Sequence, residues 1–270
     1  MGGANIIPGV SGGTIALIIG IYDRLIHAIN QIPKDLPLPL FKGDIDGFKS
    51  KLKDIDFPFL APLAVGALVS IITIARGLEI VMDSYPAITF AFFFGLILVS
   101  VAIIYKYIER INFYSILSAF IGFLFVFYIL GIEGIEFSHG PITIFFSGMV
   151  AIVSMILPGI SGSYILLILH QYEYMVEALY SFNFQTIIIF VAGAVVGLFG
   201  FAKILDYLLQ KYPSISMAFL FGLMVGALRV PLVKSVNNAS NIFEIIIPAI
   251  IGAALIAILE YKYLLKERMN

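Results

Sequence analysis

Leu157-Pro158-Gly159-Ile160-Ser161-Gly162-Ser163-Tyr164 interrupts a charge-free run that extends from residue 137 to residue 172. A helix crosses the hydrocarbon core of a bilayer with about 20 apolar residues, so this run is too long for one crossing. Proline ends an incoming helix, and glycine permits a positive φ. The stretch therefore predicts a helical hairpin that turns at Pro158-Gly159, either as two passes or as two half-passes that turn back.

The composition predicts an integral membrane protein. Apolar residues make up 61% of the 270 residues and charged residues 12%, against roughly 25% charged in soluble domains. This composition argues against a nucleic-acid partner, the net charge of −1 gives no field to steer one, and the absence of Cys excludes disulfides and thiolate sites. The three His have no metal-ligand spacing, so we expect no metal and no other cofactor. Residues 1–22 lack the basic start and the cleavage site of a signal peptide.

The chain repeats itself at two offsets. Pro8-Gly9-Val10-Ser11-Gly12-Gly13 recurs 150 positions later as Pro158-Gly159-Ile160-Ser161-Gly162-Ser163. A second block recurs 127 positions later and aligns Arg76 with Lys203 and Glu79 with Asp206. The extra residues of the first copy fall in the polar stretch 31–56. The sequence thus predicts a first repeat over 1–136 and a second over 137–270, within one membrane domain.

Each repeat is predicted to be one re-entrant helical hairpin followed by three transmembrane helices. We expect these helices at 58–82, 86–105 and 113–131, and again at 186–206, 214–232 and 243–262. Since three crossings separate the hairpins, the predicted fold is an all-α integral membrane protein of two inverted-topology repeats, as in many secondary transporters. The first copy has seven residues before Pro8. Either the true start lies upstream or this copy enters with a single arm.

The distribution of basic residues predicts the orientation. Most Lys and Arg fall on the side that holds the polar stretch 31–56 and the C-terminus, whereas the opposite loops hold Lys234, with Arg229 at a helix end. Lys and Arg concentrate on the cytoplasmic side of membrane proteins. We therefore expect stretch 31–56, a solvated loop with room for a surface helix, and the C-terminus in the cytoplasm.

The two P-G-x-S-G breaks have the chemistry of an anion site. A break inside the membrane frees N–H groups that lipid cannot satisfy, and the next helix adds N–H donors, hydroxyls and a partial positive charge. Two such turns that enter from opposite sides would meet near the midplane and bind one phosphate. The alternative is a packing kink, in which small residues let helices approach closely. The candidate binding residues are Pro8, Gly9, Ser11, Gly12, Gly13, Thr14, Pro158, Gly159, Ser161, Gly162 and Ser163.

Charged residues at equivalent places of the two copies are further candidates. Arg76 and Lys203 are either counter-charges for the anion or partners of the acids three residues later, with snorkelling at the interface as a third role. Those acids, Glu79 and Asp206, and the equivalent pair Asp23 and Glu173 are candidates to carry a coupling ion. Solvation of a helix end is the alternative role for Asp23 and Glu173.

A known family shares these residues. Gly2-Gly3-Ala4-Asn5-Ile6-Ile7-Pro8-Gly9-Val10-Ser11-Gly12-Gly13-Thr14, followed by Gly20-Ile21-Tyr22-Asp23-Arg24, resembles the N-terminal signature of the polyprenyl-phosphate transporter family. The second turn and the Tyr-Pro-x-Ile block resemble it as well, so the similarity covers essentially the whole chain. Family members usually have residues ahead of the position of Met1. The signature adds Asn5 to the candidate binding residues.

The resemblance implies transport of a polyprenyl phosphate, such as undecaprenyl phosphate, from the outer to the cytoplasmic leaflet of the cell membrane, where the lipid carrier is reused. The partners would then be this lipid, the bilayer and a coupling proton or sodium ion. The alternative is a transporter or channel for a small soluble anion. A membrane enzyme is not expected, because the chain has no acidic or His cluster for catalysis, and a structural scaffold leaves the duplicated breaks unexplained.

Overall fold

The computed structural model describes residue 2, residues 11–33, residue 39, and residues 44–131 and 137–269. All regular structure in these residues is helical. The thirteen described helices are α1 (Gly12–Ile18), α2 (Tyr22–Asn30), α3 (Ile45–Leu52), α4 (Phe57–Ser84), α5 (Pro86–Tyr105), α6 (Phe113–Ile129), α7 (Pro141–Ile156), α8 (Gly162–Ile168), α9 (Tyr172–Tyr180), α10 (Phe184–Lys211), α11 (Pro213–Ala227), α12 (Arg229–Asn238) and α13 (Phe243–Met269).

Several of these helices have the length and composition of membrane spans. Among the described residues, the stretches Pro86–Tyr105, Phe184–Lys211 and Pro213–Asn238 are each long and apolar enough to cross a membrane. Shorter apolar helical segments lie at Phe57–Ala67, Phe113–Ile129, Pro141–Ile156 and Phe243–Ile258. The protein is therefore a helical, multi-pass membrane protein. Helices α5 and α11 are largely buried, whereas α10 is exposed along most of its length.

Helix starts follow local chemistry. Proline stands in the first turn of α4, α5, α7 and α11, where its missing N–H costs no hydrogen bond. Asn112 and Asn183 cap α6 and α10, because their side-chain oxygens accept hydrogen bonds from Ser115 N and Thr186 N. The surface helix α3 begins in the same way at Asp44 and has no buried residue.

The predicted span 214–232 differs from the observed helices. Helix α11 ends at Ala227, but Leu228 keeps a right-handed helical conformation and α12 follows at once. Lys234 therefore lies in a helix and not in a loop. Helix α12 packs on α5, where Lys234 Nζ is 4.9 Å from the centre of the Phe90 ring and Ser235 donates a hydrogen bond to Ala87 O.

Element lengths recur at the two sequence offsets. Helices α1 and α8 both have seven residues, α2 and α9 both have nine, and α4 and α10 both have 28. Tyr85 joins α4 to α5 with φ −135° and ψ 55°, and Tyr212 joins α10 to α11 with φ −132° and ψ 57°. These aligned elements and their linkers therefore share one local conformation, whereas α5 and α11 differ in length, with 20 and 15 residues.

The central helix pairs also correspond. Helix α5 packs on α13, and α11 packs on α6. A side chain at Gly95 would collide with the carbonyl group of Ala249, and one at Gly222 would collide with that of Ala119. Each contact thus joins the second predicted span of one copy to the third span of the other. Glycine lets these backbones approach closely, as is common between membrane helices.

Candidate functional site

The second turn, residues 157–163, separates α7 from α8. Helix α7 ends at Ile156, Leu157 is extended, and Gly159 has a φ of +85°. A Cβ atom at Gly159 would lie 2.8 Å from Ala227 Cβ and 3.1 Å from Leu223 O, so the position lacks space as well as a normal φ. The residues Pro158 and Gly159 therefore break the helix where the sequence predicts, and α8 packs back on α7.

The first turn, described from Ser11 to Thr14, starts α1. Ser11 Oγ accepts a hydrogen bond of 3.1 Å from Thr14 N and so caps the helix. Both residues are 0% exposed. A side chain at Gly13 would collide with the carbonyl oxygen of Ile156, so this turn lies directly against the end of α7.

The two turns are in direct contact through hydrogen bonds, which we call the turn–turn contact. Ser11 Oγ donates to Leu157 O at 3.0 Å. Gly159 N donates to Thr14 Oγ1 at 2.9 Å and to Ser11 Oγ at 3.2 Å. A hydroxyl has one hydrogen to give, so the 3.1 Å bond between the two hydroxyls is donated by Thr14. Side chains of the first turn thus satisfy backbone groups that the helix break leaves free in the second.

The hydroxyls of the second turn are arranged differently. Ser161 is the N-cap residue of α8, but its side chain makes no capping hydrogen bond. Its oxygen lies 2.7 Å from Ser163 Oγ. Ser161 is buried and Ser163 is half-buried. Next to them, Tyr164 donates a hydrogen bond of 3.1 Å to Leu130 O, which ties the start of α8 to the end of α6.

Lys203 and Asp206 do not form an ion pair with each other. Asp206 is buried on α10 and accepts hydrogen bonds from Asn30 at 2.7 Å and Gln210 at 2.9 Å, with His27 Nδ1 at 3.3 Å. Lys203 is exposed and makes no ion pair with Asp206. The carboxylate therefore joins α10 to α2, and the ion pair three residues apart, which was one of the sequence alternatives, is not formed.

Asp23 lies on α2 beside the same contact. It lines a cavity of about 370 Å³ with Arg24, His27 and Asp206. Although part of the residue is exposed, burial raises the pKa of the Asp23 carboxyl, and the negative charge of Asp206 raises it further. Arg24 turns away from both acids and pairs with Asp56 at 2.8 Å.

Glu173 lies at the equivalent place of the second copy. It is exposed and lines a small cavity of about 70 Å³ with His170. His170 has a φ of 52° and Gly20 a φ of 70°, and these two aligned residues lie two positions after the ends of α8 and α1. The left-handed conformation is thus kept in both copies, although histidine adopts it less readily than glycine.

Some predicted site residues lie outside the described part of the chain. These are Asn5, Pro8 and Gly9, together with the side chains of Arg76 and Glu79 on α4. Among the residues that the structure does describe, no group of three or more His, Asp or Glu side chains could hold a metal ion.

Comparison with known proteins places this architecture in a family. A family model described as undecaprenyl phosphate translocase-like matches residues 1–244. The chain belongs to this translocase-like family. A polyprenyl-phosphate transporter from Vibrio cholerae is 39% identical over 228 residues, which cover 84% of this chain and 73% of that protein. One from Staphylococcus aureus is 28% identical over 247 residues, covering 84% and 81%. No solved structure matches the chain.

Sequence reasoning about this translocase-like protein missed the contacts that join the copies. Tyr22 is 2% exposed and donates a hydrogen bond to Ile156 O at 3.2 Å, so it supports the end of α7 from α2. His27 and Asn30 were not among the candidates, yet they hold Asp206. Their spacing on α2, three residues apart, places both on one helix face, but nothing in the sequence tells which helix that face meets.

Proposed function

We propose that this protein carries polyprenyl phosphate across the cell membrane, with the phosphate head bound between the two turns while the tail stays in lipid. The turn–turn contact supports this most directly: Ser11 and Thr14 of the first turn lie against the second turn and share hydrogen bonds with its backbone. Both named relatives are polyprenyl-phosphate transporters. The direction would be from the outer to the cytoplasmic leaflet, so that the lipid carrier can be reused.

The two copies would act as inverted repeats that alternate access to the site. Helices α1 and α8 have seven residues each, far fewer than the roughly 20 that cross a bilayer, which fits half-passes that turn back. The exchanged contacts of Gly95 and Gly222 fit two copies related by a two-fold axis. Rocking one copy against the other would open the turns to each side in turn. In the orientation that the distribution of Lys and Arg predicts, residues 31–56 and the C-terminus would be cytoplasmic.

A phosphate between the turns would take over donors that now serve the turn–turn contact. The Gly159 N–H and the hydroxyls of Ser11 and Thr14 lie between the two turns. The hydroxyls of Ser161 and Ser163 follow two and four residues after Gly159 in the second turn. Because Ser11 and Thr14 are 0% exposed, the structure has the turns closed on each other. The head would enter when the copies rock apart, with Arg76 and Lys203 attracting it as counter-charges.

We propose further that protons couple to transport at Asp23 and Asp206, with Glu173 and Glu79 as the equivalent acids. Asp206 joins α10 of the second copy to α2 of the first, and Asp23 lines the same cavity. A proton gained or lost at Asp23 would change the charge next to Asp206 and so alter the contact between α2 and α10, which joins the two copies. A sodium gradient that drives transport when no proton gradient is present would argue against protons.

A leaflet-resolved assay with purified protein in vesicles tests the function. The wild type should move polyprenyl phosphate. The double variant Ser11→Ala with Ser161→Ala should move it at least about tenfold more slowly, because the two lost hydrogen-bond donors together contribute about 1.4 kcal/mol or more to binding of the phosphate head. Lys203→Gln should also be slower. Ser100→Ala is the matched control, since Ser100 is 0% exposed and the only hydrogen bond that the structure describes for its hydroxyl is to Leu96 O, within α5.

The same assay separates the two candidate functions. Short-chain polyprenyl phosphate in excess should inhibit transport, whereas inorganic phosphate at the same concentration should not. Strong inhibition by inorganic phosphate alone would indicate a small-anion transporter. If the double variant and Lys203→Gln both move lipid at the wild-type rate, the turns do not bind the head.

A further inference from the structure

A groove on the protein surface leads from the exposed face of α10 to the second turn. It has a volume of about 480 Å³ and lies between α6, α10 and α11. At its outer end Ile204 is 58% exposed and Leu208 is 38% exposed. At its inner end Leu205 is 5% exposed and Leu157 is 6% exposed. We call this the lateral groove.

The lateral groove is apolar even where its lining carries hydroxyl groups. Ser118 donates its hydrogen to Ile215 O at 3.0 Å, and Ser216 donates to Leu208 O at 2.9 Å. Both hydroxyls are therefore occupied by backbone carbonyls. None of the described residues that line the groove is Asp, Glu, Lys or Arg. Tyr212 adds one more hydroxyl to the lining, so an occupant with hydrogen-bonding groups along its length would find few partners here, whereas a hydrocarbon would lose nothing.

The inner end of the groove touches the turn–turn contact. Leu157 lines the groove, and the carbonyl oxygen of the same residue accepts the hydrogen bond from Ser11. One residue therefore has hydrocarbon contacts on one side and the proposed phosphate site on the other. A ligand with a phosphate head and an apolar tail matches this arrangement, with its head at the two turns and its tail in the lateral groove.

We propose that the lateral groove binds the first isoprene units of the polyprenyl tail. This inference rests on the proposed function, since it assumes that the head lies at the two turns. The groove lies between α6 of the first copy and α10 and α11 of the second, so the tail would leave the protein between the copies. A small soluble anion would make no use of such a passage. The groove therefore selects a lipid phosphate over a free one.

Photo-crosslinking of the full chain in vesicles tests the groove directly. One probe is a polyprenyl phosphate with a diazirine in the isoprene unit next to the phosphate. The other is a phosphatidylglycerol with a diazirine in its acyl chain, because ordinary lipid is the competing occupant of any apolar groove in a membrane. The prenyl probe should label Leu157 and Leu205 about tenfold more than the phosphatidylglycerol probe, and unlabelled polyprenyl phosphate should compete.

A bulky side chain at the groove entrance gives a second readout with a matched control. Ile204→Trp should reduce both labelling and the transport rate about tenfold, because it fills the passage. The control is Ile116→Trp: Ile116 is 61% exposed and lines another apolar cavity, of about 230 Å³, that contains no residue of either turn. That variant should keep both values within about twofold of the wild type.

The outcomes distinguish the groove from the function. Equal labelling by the two probes, or labelling of the Ile116 cavity instead, would mean that the lateral groove holds ordinary lipid and would overturn the inference. Transport by the wild type together with normal transport by Ile204→Trp would do the same and leave the proposed function intact. Competed labelling of Leu157 and Leu205 in a protein that moves no lipid would support the groove and remove the transport function.

Discussion

Ser11 donates a hydrogen bond of 3.0 Å to the carbonyl oxygen of Leu157, and the two residues lie 146 positions apart in the chain. The bond satisfies the carbonyl group of Leu157, which has no partner within a helix because α7 ends at Ile156. The same Ser11 oxygen caps α1 by accepting from Thr14 N. One buried hydroxyl therefore satisfies backbone groups at two helix termini, the end of α7 and the start of α1.

We expect Ser11→Ala to destabilise the protein more than Ser161→Ala. The first change leaves Leu157 O without its hydrogen bond and α1 without its cap, which costs about 1 to 3 kcal/mol. The only hydrogen bond that the structure describes for the Ser161 side chain is to Ser163, which keeps its own hydroxyl. Thermal unfolding in detergent measures both variants. Equal losses of stability would show that the turn–turn contact does not hold the fold together.

Ser161→Ala should affect the transport rate without affecting the stability of the fold. If both hydroxyls bind the phosphate head, Ser161→Ala should slow transport while its unfolding midpoint stays near that of the wild type. A variant that loses transport only in proportion to its loss of folded protein would place Ser161 in a structural role.

We expect Gly159→Ala to be strongly destabilising. Alanine at a φ of +85° costs about 1 to 2 kcal/mol, and its Cβ would press on Ala227 Cβ at 2.8 Å, which adds about 1 to 3 kcal/mol. Adding Ala227→Gly should restore much of the second part but not the first, since the contact of the new Cβ with Leu223 O at 3.1 Å remains. Gly200→Ala is the control, because a Cβ there meets nothing within 4 Å and alanine favours the helix. If the double variant recovers nothing, the contact with Ala227 is not the source of the loss, and the backbone conformation and Leu223 O account for it.

Much of the fold could be predicted because it depends on local sequence. Proline and glycine at 158 and 159 break a helix whatever surrounds them. Tyr85 and Tyr212 precede prolines in aligned blocks, and the structure gives both the same backbone conformation. The wrong end of the predicted span 214–232 has a local cause too: Arg229 was taken as a helix end, yet Leu228 stays helical and α12 continues on the surface of α5.

The partners of individual side chains could not be predicted in the same way. Lys203 and Asp206 lie three residues apart on α10, a spacing that allows an ion pair, but on α2 the amide of Asn30 donates a hydrogen bond to Asp206, and the His27 ring lies 3.3 Å from it. Which helix packs there depends on the arrangement of both copies. The sequence likewise predicts that the two turns meet, but not that Ser11 and Thr14 use their hydroxyls on the backbone of the other turn.

The acids between α2 and α10 should give stability a dependence on pH. Burial and Asp206 raise the pKa of Asp23, so the folded protein binds this proton more tightly than the unfolded chain. The resulting stabilisation is complete below the ordinary pKa of Asp, about 3.9, and is lost as the pH rises through the raised pKa. Unfolding midpoints measured from about pH 4 to 7 should therefore fall for the wild type relative to Asp23→Asn. Asp206→Asn should shift this fall to lower pH, because it removes the neighbouring charge while Arg24 and His27 remain. Parallel curves for the wild type and Asp23→Asn would show that Asp23 takes up no proton on folding.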